Sequence, residues 1–153
     1  MIQKIEVEGI DQLMQDFRKF GKEADKAVKR GVDRTAMAVE SDAKNKLAAD
    51  GHRKTRRLFQ SIHTETTNPQ HPDMKSNLNY TYKDKNNESF TGSFNEKMKD
   101  DESIVGTNVH YAPYVEFGTK FMSGDSYLGY AAVKQDKKLR DRIVEELNKL
   151  IRK

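Results

Sequence analysis

The sequence predicts an α+β fold: a long N-terminal helix and a C-terminal helix packed on a small, mainly antiparallel sheet, with a projecting β-hairpin arm. Three patterns carry that prediction. Across residues 22–50, Ala24, Val28, Val32, Ala36, Val39, Ala43 and Leu47 recur every three or four positions, which gathers them on one stripe of a helix. Near the C-terminus Leu128, Ala132, Leu139, Ile143, Leu147 and Leu150 form a second such stripe. Between the two the period falls to two, with Leu78, Tyr80 and Tyr82 alternating against Asn79, Thr81 and Lys83. That alternation suits a half-buried strand.

The 153 residues suggest one domain, 1–153, with a polar excursion at about 64–101. Hydrophobic residues make up 35% of the chain and charged residues 34%, with a mean hydropathy of −0.94. Such a composition buries a thin core, so neighbouring subunits are expected to contribute to stability. An assembly component is favoured over an enzyme with a deep pocket. Lys and Arg exceed Asp and Glu by 28 to 24, a formal charge of +4. Both signs are interspersed, which supports solubility more than it marks a nucleic-acid footprint. The absence of cysteine excludes disulfides, thiolate chemistry and sulfur-ligated metals. The opening MIQKIEVEGI lacks the apolar run of a secretory signal, and no run spans a bilayer; a soluble intracellular protein is expected.

The elements follow in order. Ile5 and Val7 alternate with Lys4, Glu6 and Glu8, predicting a first strand over residues 2–8 that ends at Gly9. Asp11 can cap a short helix carrying Ile10, Leu13, Phe17 and Phe20, with Gly21 as a break. The long helix spans 22–50. Gly31 inside it should cost about 1 kcal/mol relative to alanine without breaking so long a pattern. Gly51 stands where helices end in a left-handed residue. Leu58, Phe59 and Ile62 start either a strand or a helical turn back to the core. In the excursion, Pro69 and Pro72 mark a loop, Lys85-Asn86-Asn87 a turn, and Phe90 and Phe94 a returning strand. Ile104 to Val109 is a further strand. After a flexible piece over residues 120–126, Ser126 is placed to cap the last helix.

The densest chemistry lies in Val109 to Thr119, VHYAPYVEFGT. Pro113 disfavours the helical region for Ala112, and Tyr114, Glu116 and Gly118 alternate with Val115, Phe117 and Thr119. A short strand with one apolar face is predicted here, with Gly118 at a position of positive φ or close backbone approach. As an acid, Glu116 would need His110 in reach. As a structural group it would bond backbone amides or an Arg of an adjacent subunit, and this second reading is preferred. His52, His63, His71 and His110 lack metal-ligand spacing, and nucleotide-binding and esterase motifs are missing. No catalytic residue, metal or cofactor is assigned. The basic run around Arg53, Lys54, Arg56 and Arg57 could contact phosphates or could be a solvated loop at the negative end of a helix dipole; the solvated loop is preferred.

The run Tyr111-Ala112-Pro113-Tyr114-Val115-Glu116-Phe117-Gly118-Thr119 closely resembles the signature of the gene-product-ten-like family of minor virion proteins from long-tailed bacteriophages, the tail completion or head-to-tail joining proteins. The layout of helix, polar middle, glycine-bearing strand (Val105-Gly106-Thr107), signature and C-terminal helix is similar too. The chain departs from the family at Thr55-Arg56-Arg57-Leu58, which lacks a glycine, and at Ser126-Tyr127-Leu128, which lacks a proline. Its excursion is also longer. The resemblance implies a structural subunit of the virion tail or neck, made in the bacterial host cytoplasm. Its implied partners are other neck and tail proteins and its own copies in a ring, with a hexamer among the options. No membrane is implied, and DNA would touch it only in passing the neck. On this reading Tyr111, Tyr114 and Phe117 pack the signature against the long helix, and Glu116 fixes an intersubunit or sheet-edge contact. The alternative is a small basic nucleic-acid-binding protein using residues 52–57.

Overall fold

The computed structural model describes residues 1–5, 14, 21–51, 56–66, 79–94, 98–99 and 101–152, those of 2–5 by backbone alone. The remainder of the expected first strand, Asp11 with its helix, the Pro69–Pro72 loop, Leu78, Arg53 and Lys54 lie outside the described residues. The elements are β1 (Ile2–Ile5), α1 (Lys22–Ala49), α2 (Arg57–Ser61), β2 (His63–Thr66), β3 (Asn79–Lys83), β4 (Ser89–Ser93), β5 (Ser103–Gly106), α3 (Ala112–Phe117), β6 (Gly118–Thr119), β7 (Met122–Ser123) and α4 (Tyr127–Ile151). The architecture is α+β, with both long helices against small antiparallel sheets.

Helix α1 runs 28 residues, roughly 42 Å at the standard rise. Its whole expected stripe is buried, joined by Ala27, Gly31, Asp33 and Thr35. It ends where expected, with Gly51 at φ 80°. The 25-residue α4 lies antiparallel along it. Ala24, Ala27, Val28 and Val32 meet Leu139, Ile143 and Leu147 in one apolar cluster. Ala36 to Leu47 join Tyr127, Leu128 and Ala131 in the larger cluster over the sheet. Gly31 marks the closest approach. A Cβ there would sit 2.6 Å from Ile143 Cγ1 and 2.9 Å from Ile143 Cα, so the local propensity penalty is exchanged for close backbone packing.

The rim of this helix pair is charged. Glu146 on α4 is buried and accepts from Arg30 (3.1 Å), Arg34 (2.8 Å) and Lys149 (2.6 Å). Burial pushes its carboxyl up, yet those hydrogen bonds and charges outweigh burial and hold it below the ordinary value. Asp33, also buried, accepts from Ser103 Oγ at 2.8 Å, tying the helix to the sheet.

That sheet has the order β1-β5-β2, all antiparallel. Ile104 stands opposite Lys4 on one side and Glu65 on the other. Residues 57–62 resolve into the helical turn, then β2. The hairpin arm forms as β3–β4, with Tyr82 opposite Phe90. Its turn is made by Asp84, whose Oδ1 accepts from the amides of Asn86 (2.8 Å) and Glu88 (3.0 Å), an Asx-type arrangement. One face of the arm is laid on the body. Tyr80, Tyr82 and Phe94 are buried in the larger cluster, and Tyr80 stacks on His63 with ring centroids 4.5 Å apart.

Candidate functional site

The signature folds as a helix, not as the expected strand. Tyr111 and Ala112 open α3, and Pro113 occupies its second position. First-turn amides have no partner inside a helix, so a proline there loses nothing and its fixed φ is helical already. Over six residues a period of two and a period of 3.6 are hard to tell apart. The burial pattern separates them: Ala112 and Glu116, four apart, face inward, and Val115 and Tyr111 are half-buried against the core. Tyr114 and Phe117, three apart, face outward with 58% and 76% of their surface exposed. The expected packing of Tyr114 and Phe117 on the long helix is therefore not found.

Glu116 is 4% exposed, and its carboxylate is spent on the start of α4. Oε2 accepts from the Leu128 amide at 2.9 Å. Oε1 accepts from the Gly129 amide and from Ser126 Oγ, both at 2.8 Å. These amides are the second and third of the helix, the ones a capping side chain normally satisfies. Ser126, expected to cap α4, holds the N-cap position without a capping bond and donates to Glu116 instead. The carboxylate thus acts as a borrowed cap at the positive end of the helix dipole. It bonds backbone amides, as one of the two readings held, but within its own chain and not across a subunit boundary. His110 is exposed and packs edge-on to Tyr111. With Glu116 saturated by donors, no acid–base pair is set up between them.

After α3 the chain makes a tight hairpin, β6 to β7, where a flexible piece was expected. Gly118 has φ 83°, and a Cβ on it would lie 2.4 Å from the Gly124 nitrogen and 2.6 Å from the Met122 carbonyl oxygen. Both a left-handed backbone and close approach require glycine here. The Asp125 amide donates to the Val115 carbonyl at 2.7 Å, closing the loop, and Asp125 Oδ1 accepts from Lys46 on α1 at 2.8 Å. This braced frame presents Phe117, Phe121 (90% exposed) and half-exposed Met122 to solvent. Thr119 Oγ1 accepts from the Phe121 amide at 3.2 Å.

Beside the frame, the outer face of α4 carries exposed Tyr130 and Val133. With Gly129, Lys134, Lys137 and Lys138 they line an open groove of about 870 Å³. Sequence reasoning missed Phe121, Met122, Tyr130 and Val133. The available signal was that Tyr130 and Val133 fall off the apolar stripe of their helix, where an apolar side chain has no core to enter.

The basic run is only partly described. Arg56 is exposed in a left-handed conformation ahead of α2. Arg57 places its guanidinium carbon 4.1 Å from the Phe90 ring centroid, a cation–π contact that commits it to the hairpin. A separate titratable pair sits on β2. Glu65 is 1% exposed, and neither of its oxygens has a hydrogen-bond partner among the described residues; burial pushes its carboxyl up to about 7. His63 Nε2 lies 3.8 Å away, and burial lowers its pKa. So deeply enclosed a carboxylate is out of reach of a substrate. Among the described residues no group of acidic residues and histidines is arranged to hold a metal ion, and no helix is long and apolar enough to cross a membrane.

No curated protein and no solved structure matches the chain. The family model described as "Bacteriophage HK97-gp10, putative tail-component" matches residues 11–118, from ahead of α1 through β2, the hairpin and β5 to the end of α3. That match takes in more than two thirds of the 153 residues, and the chain belongs to this HK97-gp10-like family of bacteriophage tail components.

Proposed function

We propose that this protein is a non-enzymatic virion component that completes the tail of a long-tailed phage and joins it to the head, acting as several copies in a ring. The observation that carries the reading is the frame around Gly118: two aromatic side chains, Phe117 and Phe121, stand 76% and 90% exposed on a backbone braced from three sides. Large aromatics carried on a fixed backbone suit the role of interface anchors, because they bring much contact area and the backbone beneath them needs no further ordering on docking. On this reading Tyr111, Ala112, Pro113, Val115 and Glu116 build the frame. Tyr114 and Phe117 make contacts, while Gly118 and Thr119 set the turn that presents them. The small core supports an assembled rather than a solitary working form.

The test is a phage lacking this gene, complemented by the wild-type or altered chain and viewed by electron microscopy. Separate filled heads and tails without the protein, and joined particles with it, are expected. Joined particles in its absence would overturn the junction role. Sedimentation of the purified chain, alone and with tail proteins, reads the ring. The nucleic-acid alternative predicts binding that weakens steeply with salt, by about 0.9 log units per log salt for each phosphate neutralised. With Arg57 stacked on Phe90, it has one fewer cation to use.

A further inference from the structure

We infer that the groove on the outer face of α4 is the seat of an acidic, apolar-anchored segment of a different virion protein. The inference rests on the assembly role proposed above and names the chemistry of one partner. The groove has an apolar floor, Tyr130 (49% exposed) and Val133 (65% exposed), and a basic rim, Lys134, Lys137 and Lys138. At one end stands Gly129, where a side chain would collide with the capping groups: a notional Cβ lies 2.7 Å from Ser126 Oγ and 3.0 Å from Glu116 Oε1.

The rim keeps a positive surplus. Lys134 is paired with Asp42 Oδ2 at 3.1 Å, and the charge of Lys138 also reaches Asp42. Asp42 is already engaged by Gln135. Lys137 and Lys138 have no salt-bridge partner among the described residues. Lys46 and Lys134 stand 5.6 and 5.9 Å from the Tyr130 ring centroid, but both are already paired with carboxylates, so the surplus comes from Lys137 and Lys138. A complementary occupant carries carboxylates at its edge and an aliphatic or aromatic residue at its centre.

Two other occupants fit less well. A second copy offering its own exposed frame would bring Lys120 between Phe117 and Phe121, a like charge against a lysine rim. A DNA backbone would satisfy the lysines but leave Tyr130 and Val133 without a partner.

The experiment places the photo-crosslinker p-benzoylphenylalanine at Val133 of the full chain, supplied in trans to a phage lacking the gene. After irradiation of the assembled particles, the crosslinked peptide is sequenced. The expected product is a peptide of another virion protein, net negative, with an apolar residue at the crosslink. The double variant K137E/K138E should retain the wild-type melting profile, while crosslink yield and infectious titre fall about tenfold; K137R/K138R should keep both. A crosslink to DNA, to a second copy or to a neutral or basic peptide overturns the inference. So does infectious material without a crosslink, or full complementation by K137E/K138E. These outcomes leave the junction role intact if heads and tails still separate in the null phage, whereas joined heads and tails in that null count against the role itself.

Discussion

Replacing Glu116 by alanine is expected to weaken the fold itself, before any question of assembly arises. The substitution removes one carboxylate that accepts three hydrogen bonds of 2.8–2.9 Å. Loss of an N-cap acceptor costs about 1 kcal/mol, and a buried amide such as that of Leu128 left without a partner costs about 1–3 kcal/mol. The Gly129 amide borders the open groove, so water can replace part of its bond there. The total comes to roughly 3 kcal/mol. Glu116→Gln keeps one carbonyl acceptor but turns an NH₂ toward a donor and removes the charge at the helix N-terminus, for about 1–2 kcal/mol. Ser126→Ala should cost less than either, because its hydroxyl donates to the carboxylate and caps nothing. The assay is urea denaturation followed by circular dichroism. At a slope of about 2 kcal/mol per molar, the alanine variant's midpoint should fall by about 1.5 M with the slope unchanged. Amide exchange at Leu128 and Gly129 should accelerate in the same variant. A midpoint within about 0.25 M of wild type, or unaltered exchange at those two amides, would refute the borrowed-cap account.

Three further outcomes are expected. Gly31→Ala should destabilise by about 1–2 kcal/mol although alanine is the better helix former, because the new methyl meets the Ile143 backbone; a stabilised variant in thermal melts would show that the helices can separate at no cost. Glu65 has its folded-state pKa raised to about 7 from 4.5, so the folded state holds the proton more tightly. Its contribution is complete below pH 4.5 and is lost as pH rises to 7, a change on the order of 3 kcal/mol. Glu65→Gln should therefore gain on wild type across that window in denaturation midpoints, and a pH-independent difference would contradict the enclosed carboxylate. Replacing both Phe117 and Phe121 by serine should change stability by less than about 0.5 kcal/mol, since both side chains already face solvent, while joined particles counted by microscopy fall sharply. Normal particle yield would remove the aromatic frame from the interface.

The two long helices were legible in the sequence because their stripes repeat over many turns, and a pattern of that length overrides a lone Gly31. The β3–β4 arm was legible for a similar reason: Tyr80 and Tyr82 alternate cleanly, and an asparagine-rich turn joins the strands. Residues 111–117 were not. Seven residues hold too few periods to separate strand from helix, and Pro113 fits the first turn of a helix as well as it fits an extended segment.

By itself, then, the sequence determined the elements whose periodicity runs long, the glycines needed at positions 51 and 118, and the family likeness held in the signature. Only the tertiary structure decided what those residues do. That Glu116 caps α4, that Gly31 receives Ile143, and that Phe117, Phe121, Tyr130 and Val133 stay in water depends on which distant segments meet. Local spacing records the face of a helix or strand, but carries no term for the element that will, or will not, come to cover it.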